Sequence, residues 1–150
     1  MNDVSDASRR THASAVAADL RALVGKLRRR LREQSDVGEL TPSQVSALLR
    51  LEKEGQATTS DLARAEGMRP QSMATVVGAL QAAGLVTGSP DPGDGRRTLL
   101  SLTDACRQWI GEGRAARQDW LTNRLHHRLT ADELNIVGAA AELLKTLIDD

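Results

Sequence analysis

Residues 58–84 read TTSDLARAEGMRPQSMATVVGALQAAG, and the way this stretch divides into helices decides the fold. Thr59-Ser60-Asp61 has the chemistry of a helix start: hydroxyls that accept from free amides, then an acid in the first turn. Leu62 and Ala63 follow, and Gly67 predicts a break after about two turns. Arg69-Pro70-Gln71-Ser72 opens the next helix, since proline is preorganised for the first helical position, and Gly84 stops it after Ala83. Two short helices joined by a tight, glycine-containing turn predict a helix-turn-helix.

Helical periodicity splits the second of these helices into two faces. Met73, Val76, Val77 and Leu80 form an apolar stripe that packs inward. Gln71, Ala74, Thr75 and Gly78 fall on the opposite side, and no charged residue occurs from Pro70 to Thr87. A face meant only for water ordinarily carries Glu and Lys. A short-chained, uncharged, hydrogen-bonding face lets a helix backbone approach the base edges of a duplex, where Gln pairs with adenine and Ser or Thr reach bases or phosphates. The competing reading is a face covered by another protein chain.

Downstream, Leu85-Val86-Thr87 and Thr98–Leu102 have strand character, with Leu100 and Leu102 on one face. They bracket GSPDPGDGRRT, residues 88–98, which is then the loop of a hairpin. Pro90 and Pro92 restrict the backbone, and Gly93 and Gly95 are expected to supply positive φ angles. Asp94 lies two residues before Arg96 and is expected to pair with its guanidinium. A stiff tip presenting Arg96 and Arg97 suits the narrow minor groove, where the potential is most negative.

The flanks are helical. Val16, Leu20, Leu23, Leu27 and Leu31, with Val24 alongside, form one stripe, and the helix closes on Lys26, Arg28, Arg29, Arg30 and Arg32, which complement its dipole. A break is predicted around Ser35–Gly38. Thr41-Pro42 starts a helix whose buried face is expected to be Val45, Leu48 and Leu49, ending at Gly55. After the hairpin, Thr103-Asp104 begins a long helix with Cys106, Trp109, Gly113, Ala116, Trp120, Leu121 and Leu125 as its apolar positions. The last helix is capped at Thr130, carries Asp132 and Glu133 in its first turn, and steps through Leu134, Val137, Ala141, Leu144 and Ile148.

The predicted organisation is a polar tail over 1–12, a helix over 13–36, a winged helix-turn-helix over 41–102 and closing helices over 103–150. The fold is mainly α with a small β-hairpin wing. The outer helices carry more apolar surface than the winged part can cover. A bundle formed with a second copy buries the remainder and sets two reading helices about one duplex turn apart.

Composition agrees with this and excludes much else. A chain of 150 residues is about one domain. Its only aromatics are Trp109 and Trp120, so the core rests on Leu, Val and Ala. The formal net charge is +0, but residues 1–34 carry eight basic and four acidic side chains and residues 130–150 carry one and five. Duplex contact therefore depends on a few placed arginines and backbone amides, not on a broad basic surface. No apolar run approaches the ~20 residues of a membrane span, and the N-terminal stretch is too polar for a signal peptide. The single cysteine, Cys106, forbids an intramolecular disulfide, which points to the cytoplasm. Cys106 reads as a small core residue without a resolving partner. His12, His126 and His127 form no chelating set with it, and no catalytic motif occurs, so no metal, cofactor or enzymatic activity is expected.

The segments LTPSQVSALLRLEKEG (40–55), TTSDLARAEGMRPQSMATVVGALQAAGLV (58–86) and DPGDGRRTLLSLTDA (91–105) resemble the multiple antibiotic resistance regulator (MarR) family of bacterial transcription factors. The wing followed by a strand and Leu-Thr-Asp is the most specific part, and the likeness extends over about residues 13–148. It implies a homodimeric winged-helix protein on pseudo-palindromic operators, often a repressor, often released by a small anionic or phenolic ligand. Asp94 and Arg96 match the family's wing pair. Arg69, Pro70, Gln71, Ser72, Ala74 and Thr75 match the start of its recognition helix, and Arg97 joins them as a candidate duplex contact. A family-type ligand pocket implicates Arg21 and Trp109, although the spacing of Trp109 also suits plain core. Two residues depart from the pattern: Cys106 stands where glycine is frequent, and Arg69 where a small capping residue is frequent. A protein-docking winged helix and a ligand-insensitive DNA-binding regulator are the alternative readings.

Overall fold

The computed structural model describes residues 2–149, with side chains from residue 5 onward. The element order is α1 (Asn2–Arg32), α2 (Pro42–Glu54), α3 (Thr59–Ala65), α4 (Pro70–Ala82), β1 (Val86–Pro90), β2 (Thr98–Leu102), α5 (Asp104–Arg128) and α6 (Ala131–Lys145). The chain forms two compact units. One runs from Val37 to Arg114; the other joins α1 and the chain up to Asp36 with everything from Ala115 onward.

The Val37–Arg114 unit is built on one apolar cluster. Ala47, Leu48 and Leu51 of α2, Leu62 and Ala63 of α3, and Met73, Val77 and Leu80 of α4 meet Val86, Leu100 and Leu102 of the hairpin and Cys106 and Ile110 of α5. The first turns of α5 thus belong to this unit. The face α2 buries differs from the expected one: Ala47, Leu48 and Leu51 are inside, whereas Val45 is half-buried and Leu49 is exposed. Positions 47, 48 and 51 share one helical stripe, and residue 49 lies about 100° around from 48.

Local chemistry fixes the helix starts. Thr41 caps α2 and Thr58 caps α3, each in a reciprocal capping box, with Gln44 and Asp61 reaching back. The cap of α3 is therefore Thr58 rather than Thr59, and Thr58 is buried. Gly67, at φ +64°, turns the chain between α3 and α4 with the Met68 N–H donating to Ala63 O at 2.8 Å. Gly84, at φ +73°, does the same after α4.

The hairpin is antiparallel, in the register Val86↔Leu102 through Pro90↔Thr98, so β1 runs three residues past the predicted Thr87. Leu85 precedes the strand and packs partly against the core. A bridge between Ala57 and Leu100 adds a second, short pairing to β2. At the far end, the Thr103 hydroxyl donates to Gly84 O at 2.7 Å and accepts from the Cys106 N–H at 3.1 Å. One side chain thereby joins the end of α4, the exit of the wing and the start of α5.

In the second unit, α1 begins at Asn2, so the polar stretch expected as a tail is helical. Leu20, Leu27 and Leu31 of α1 and Trp120, Leu121 and Leu125 of α5 are half-buried. Arg117 donates to Ser35 Oγ at 2.7 Å, tying α5 to the turn after α1. Thr130 caps α6 with Glu133 in a third capping box. No residue of α6 is buried, and Ile136 and Leu143 within it and Leu147 and Ile148 beyond its end are more than two-thirds exposed.

Candidate nucleic-acid interface

The α4 helix separates core from surface as its sequence predicts. Met73, Val77 and Leu80 are buried and Val76 packs partly against them, while Gln71, Ser72, Ala74, Thr75 and Gly78 are exposed. Thr75 donates its hydroxyl to Gln71 O at 3.2 Å, which leaves the oxygen's lone pairs outward as acceptors. Arg69 occupies the N-cap of α4 and makes no capping bond, so the first amides of α4 lack the side-chain acceptor that Thr41, Thr58 and Thr130 give to their helices. Pro70 supplies the first helical residue. Arg69, Pro70, Gln71, Ser72, Ala74 and Thr75 thus form one exposed, open-ended helix start.

Charged groups tie the end of α3 to α2. Glu66, at the end of α3, accepts from Arg50 Nε at 2.6 Å and from Ser46 Oγ at 2.7 Å, both on α2. Those bonds, Arg50 first, hold the Glu66 carboxyl below the usual glutamate range. Arg50 also pairs with Glu54 at 2.8 Å. A carboxylate at a helix C-terminus is disfavoured by the helix dipole, so the Arg50 cation is what stabilises this arrangement.

The wing tip is held by hydrogen bonds rather than by positive-φ glycines. Neither Gly93 nor Gly95 has positive φ. Two aspartates shape the turn instead: Asp91 Oδ1 accepts from the Gly93 N–H at 2.9 Å and Asp94 Oδ1 accepts from the Arg96 N–H at 3.1 Å. Backbone bonds from Asp91 N to Arg97 O at 2.9 Å and from Arg97 N to Asp94 O at 3.0 Å close the loop. These are Asx turns, in which the carboxylate replaces a backbone carbonyl. Asp94 therefore supports the wing through the Arg96 amide and not through its guanidinium, which reaches no partner among the described residues and is exposed. Lower on the wing, the close approach of the Thr98 methyl to Gly88 leaves no room for a Cβ there: it would lie 2.7 Å away.

Arg97 behaves unlike Arg96. Its Nη2 lies 3.4 Å from Asp61 Oδ2, in the first turn of α3. Hydrogen bonds with Thr58, and then the Arg97 and Arg64 charges, hold the Asp61 carboxyl below its ordinary range. Sequence reasoning finds Asp61 as a helix-start acid but not its link to the wing.

The two residues named for a ligand pocket fall in different units. Arg21 is exposed on α1, and Trp109 is half-buried against the core of the winged unit, as its spacing suits. Cys106 is fully buried and burial pushes its thiol pKa up, the opposite of an activated thiolate. His126 and His127 contact each other edge to face, and no metal-binding cluster of His, Cys, Asp and Glu exists among the described residues.

A helix-turn-helix with a hairpin wing at its exit is the winged-helix architecture of DNA-binding regulators. Residues 39–97 match the model of the MarR family. An HTH-type transcriptional regulator of Mycobacterium bovis is 38% identical over 135 residues, 90% of this chain and 94% of that protein. A crystal structure described as a transcriptional regulator of Pseudomonas aeruginosa superposes with a TM-score of 0.78 at 33% identity, over 93% of this chain and 97% of that one. A variant of S. aureus MepR bound to an oligodeoxyribonucleotide shares the fold, with a TM-score of 0.71 at 19% identity over 88% and 97%. The chain belongs to the MarR family of transcriptional regulators, and its winged helix is a DNA-binding domain and not an enzyme's.

Proposed function

We propose that this regulator acts as a homodimer that represses from a pseudo-palindromic operator and is released by a small anionic or phenolic ligand. The observation that carries the DNA-reading half is the exposed face of α4: core-packed on one side, uncharged and short-chained on the other. Gln71, Ser72, Ala74 and Thr75 enter the major groove, Arg69 and the start of α4 at Pro70 lie against phosphate, and Arg96 enters the adjoining minor groove, with Asp94 holding its backbone. The oligodeoxyribonucleotide on the S. aureus relative agrees with DNA as the partner.

Dimerisation through residues 13–36 and 103–150 is supported by the unburied apolar face of α6, together with Val16, Leu23 and Val24 of α1. The effector reading, with Arg21 and Trp109 as lining, rests on family resemblance. No described helix is long and apolar enough to cross a membrane.

Selection of bound duplexes from a random pool tests the whole reading: it should return an inverted repeat with half-sites about one helical turn apart. Recovery of sequences without two-fold symmetry, or no enrichment, overturns it. Aromatic acids that raise the melting temperature and release the selected duplex establish the effector; failure of every such acid leaves a ligand-insensitive regulator.

A further inference from the structure

The two adjacent wing arginines have different partners. Arg96 has an unpartnered guanidinium and a backbone N–H held by Asp94. Arg97 has both its backbone groups in the turn, its carbonyl accepting from Asp91 N and its N–H donating to Asp94 O, and its guanidinium reaches Asp61 across a sequence separation of 36 residues. The bridge between Ala57 and Leu100 explains how they meet. It lays the segment leading into α3 beside β2, so that Asp61, four residues after Ala57, stands near Arg97, three residues before Leu100. Asp61 is itself anchored, because its backbone N–H donates to Thr58 Oγ1 at 3.1 Å and its carboxylate accepts from the Thr58 N–H at 3.3 Å. Thr58 is buried.

We propose that Arg97 is a positioning residue and not a duplex contact: its ion pair with Asp61 fastens the wing tip to the start of α3 and so sets where Arg96 points. This rests on the reading of the wing as a groove-binding element. The arrangement puts a carboxylate on the DNA-binding unit, where it repels phosphate unless a cation of the same chain is paired with it. Arg97 supplies that cation from the wing, beside Arg64, whose Nη1 lies 3.6 Å from Asp61 Oδ1 within α3.

The test compares the full-length protein with Arg97→Ala, Arg97→Lys, Asp61→Asn and the Arg97→Ala/Asp61→Asn double variant. Asn keeps an acceptor for the Thr58 amide, so the cap of α3 survives. Affinity is measured on a duplex selected from a random pool, and amide exchange at Arg96 and Arg97 is measured in the free protein. Each of Arg97→Ala and Asp61→Asn should weaken binding about two- to fivefold, the range of an exposed ion pair. The double variant should be no worse than either single one, and Lys should restore most of the loss. Amide exchange at the tip should quicken in both single variants while that of Met73 to Leu80 stays unchanged. If Asp61→Asn leaves affinity unchanged or tightens it while Arg97→Ala weakens it, Arg97 is bound to phosphate and the proposal is wrong. Additive losses, or tip exchange identical to wild type, overturn it as well. A wild-type protein that selects no duplex defeats the regulatory reading instead, and the exchange measurement still decides the ion pair's role.

Discussion

Arg96 and Met73 mark the two ends of what one side chain does here. Arg96 is exposed and unpaired, so replacing it by alanine leaves the fold intact; binding to the selected duplex should weaken by about 1–3 kcal/mol, read by titration, with the melting temperature unmoved. Met73 is fully buried beneath the recognition face, so Met73→Ala should cost about 2–5 kcal/mol in denaturant unfolding. The division of α4 into core and surface was legible in the sequence, because a 3.6-residue period acts on neighbours within one helix. The bonds of Asp94, Asp61 and Thr103 were not. Asp94 takes the Arg96 amide in place of the guanidinium, a choice set by the turn. Asp61 meets the Arg97 guanidinium and the Thr103 hydroxyl meets the Gly84 carbonyl across sequence separations of 36 and 19 residues, which spacing does not report.

The start of α4 is where an element gives up stability that its neighbours keep. Thr41, Thr58 and Thr130 close their helices with capping boxes, while Arg69 leaves α4 open and places a cation at the positive end of the dipole. Arg69→Ser should raise stability by about 0.5–2 kcal/mol through the restored cap and yet weaken duplex binding, a pairing that unfolding and titration detect together. A substitution that leaves binding intact removes Arg69 from the interface. The starts of α2 to α6 were readable to within a residue, since Thr-Pro and Thr-x-x-acid patterns are local signals, whereas α1 begins at Asn2, ahead of the predicted residue 13. The phase of α2 was not, since Val45 and Leu49 are as apolar as Leu51 and only the elements packed against the helix choose among them. The extension of β1 to Pro90 was missed for a related reason: pairing with β2 overrides the poor strand character of glycine and proline at its end.

At the scale of the whole molecule, the two compact units have unlike needs. The winged unit encloses its own core, whereas no residue of α6 is buried. Leu143→Asp should therefore convert the expected dimer to a smaller species in sedimentation velocity, and its melting temperature should depend on concentration less than that of wild type. Acid acts on the winged unit. Glu66 and Asp61 are both held below their ordinary pKa values, so the native state binds fewer protons than the unfolded chain in the acid range. Their contribution is fully present above the unfolded values and is lost as pH falls through the folded ones, so melting temperature should decline below about pH 4.5. Glu66→Gln should flatten that decline. The absence of charge along α4 separates two properties of recognition that many regulators mix. On the proposed reading, ionic strength acts on Arg69 and Arg96, which lie outside the uncharged stretch proposed to meet the major groove, so added salt should depress affinity for cognate and scrambled duplexes in parallel. The ratio between the two should then stay nearly constant, a discrimination indifferent to the ionic medium in which the protein works.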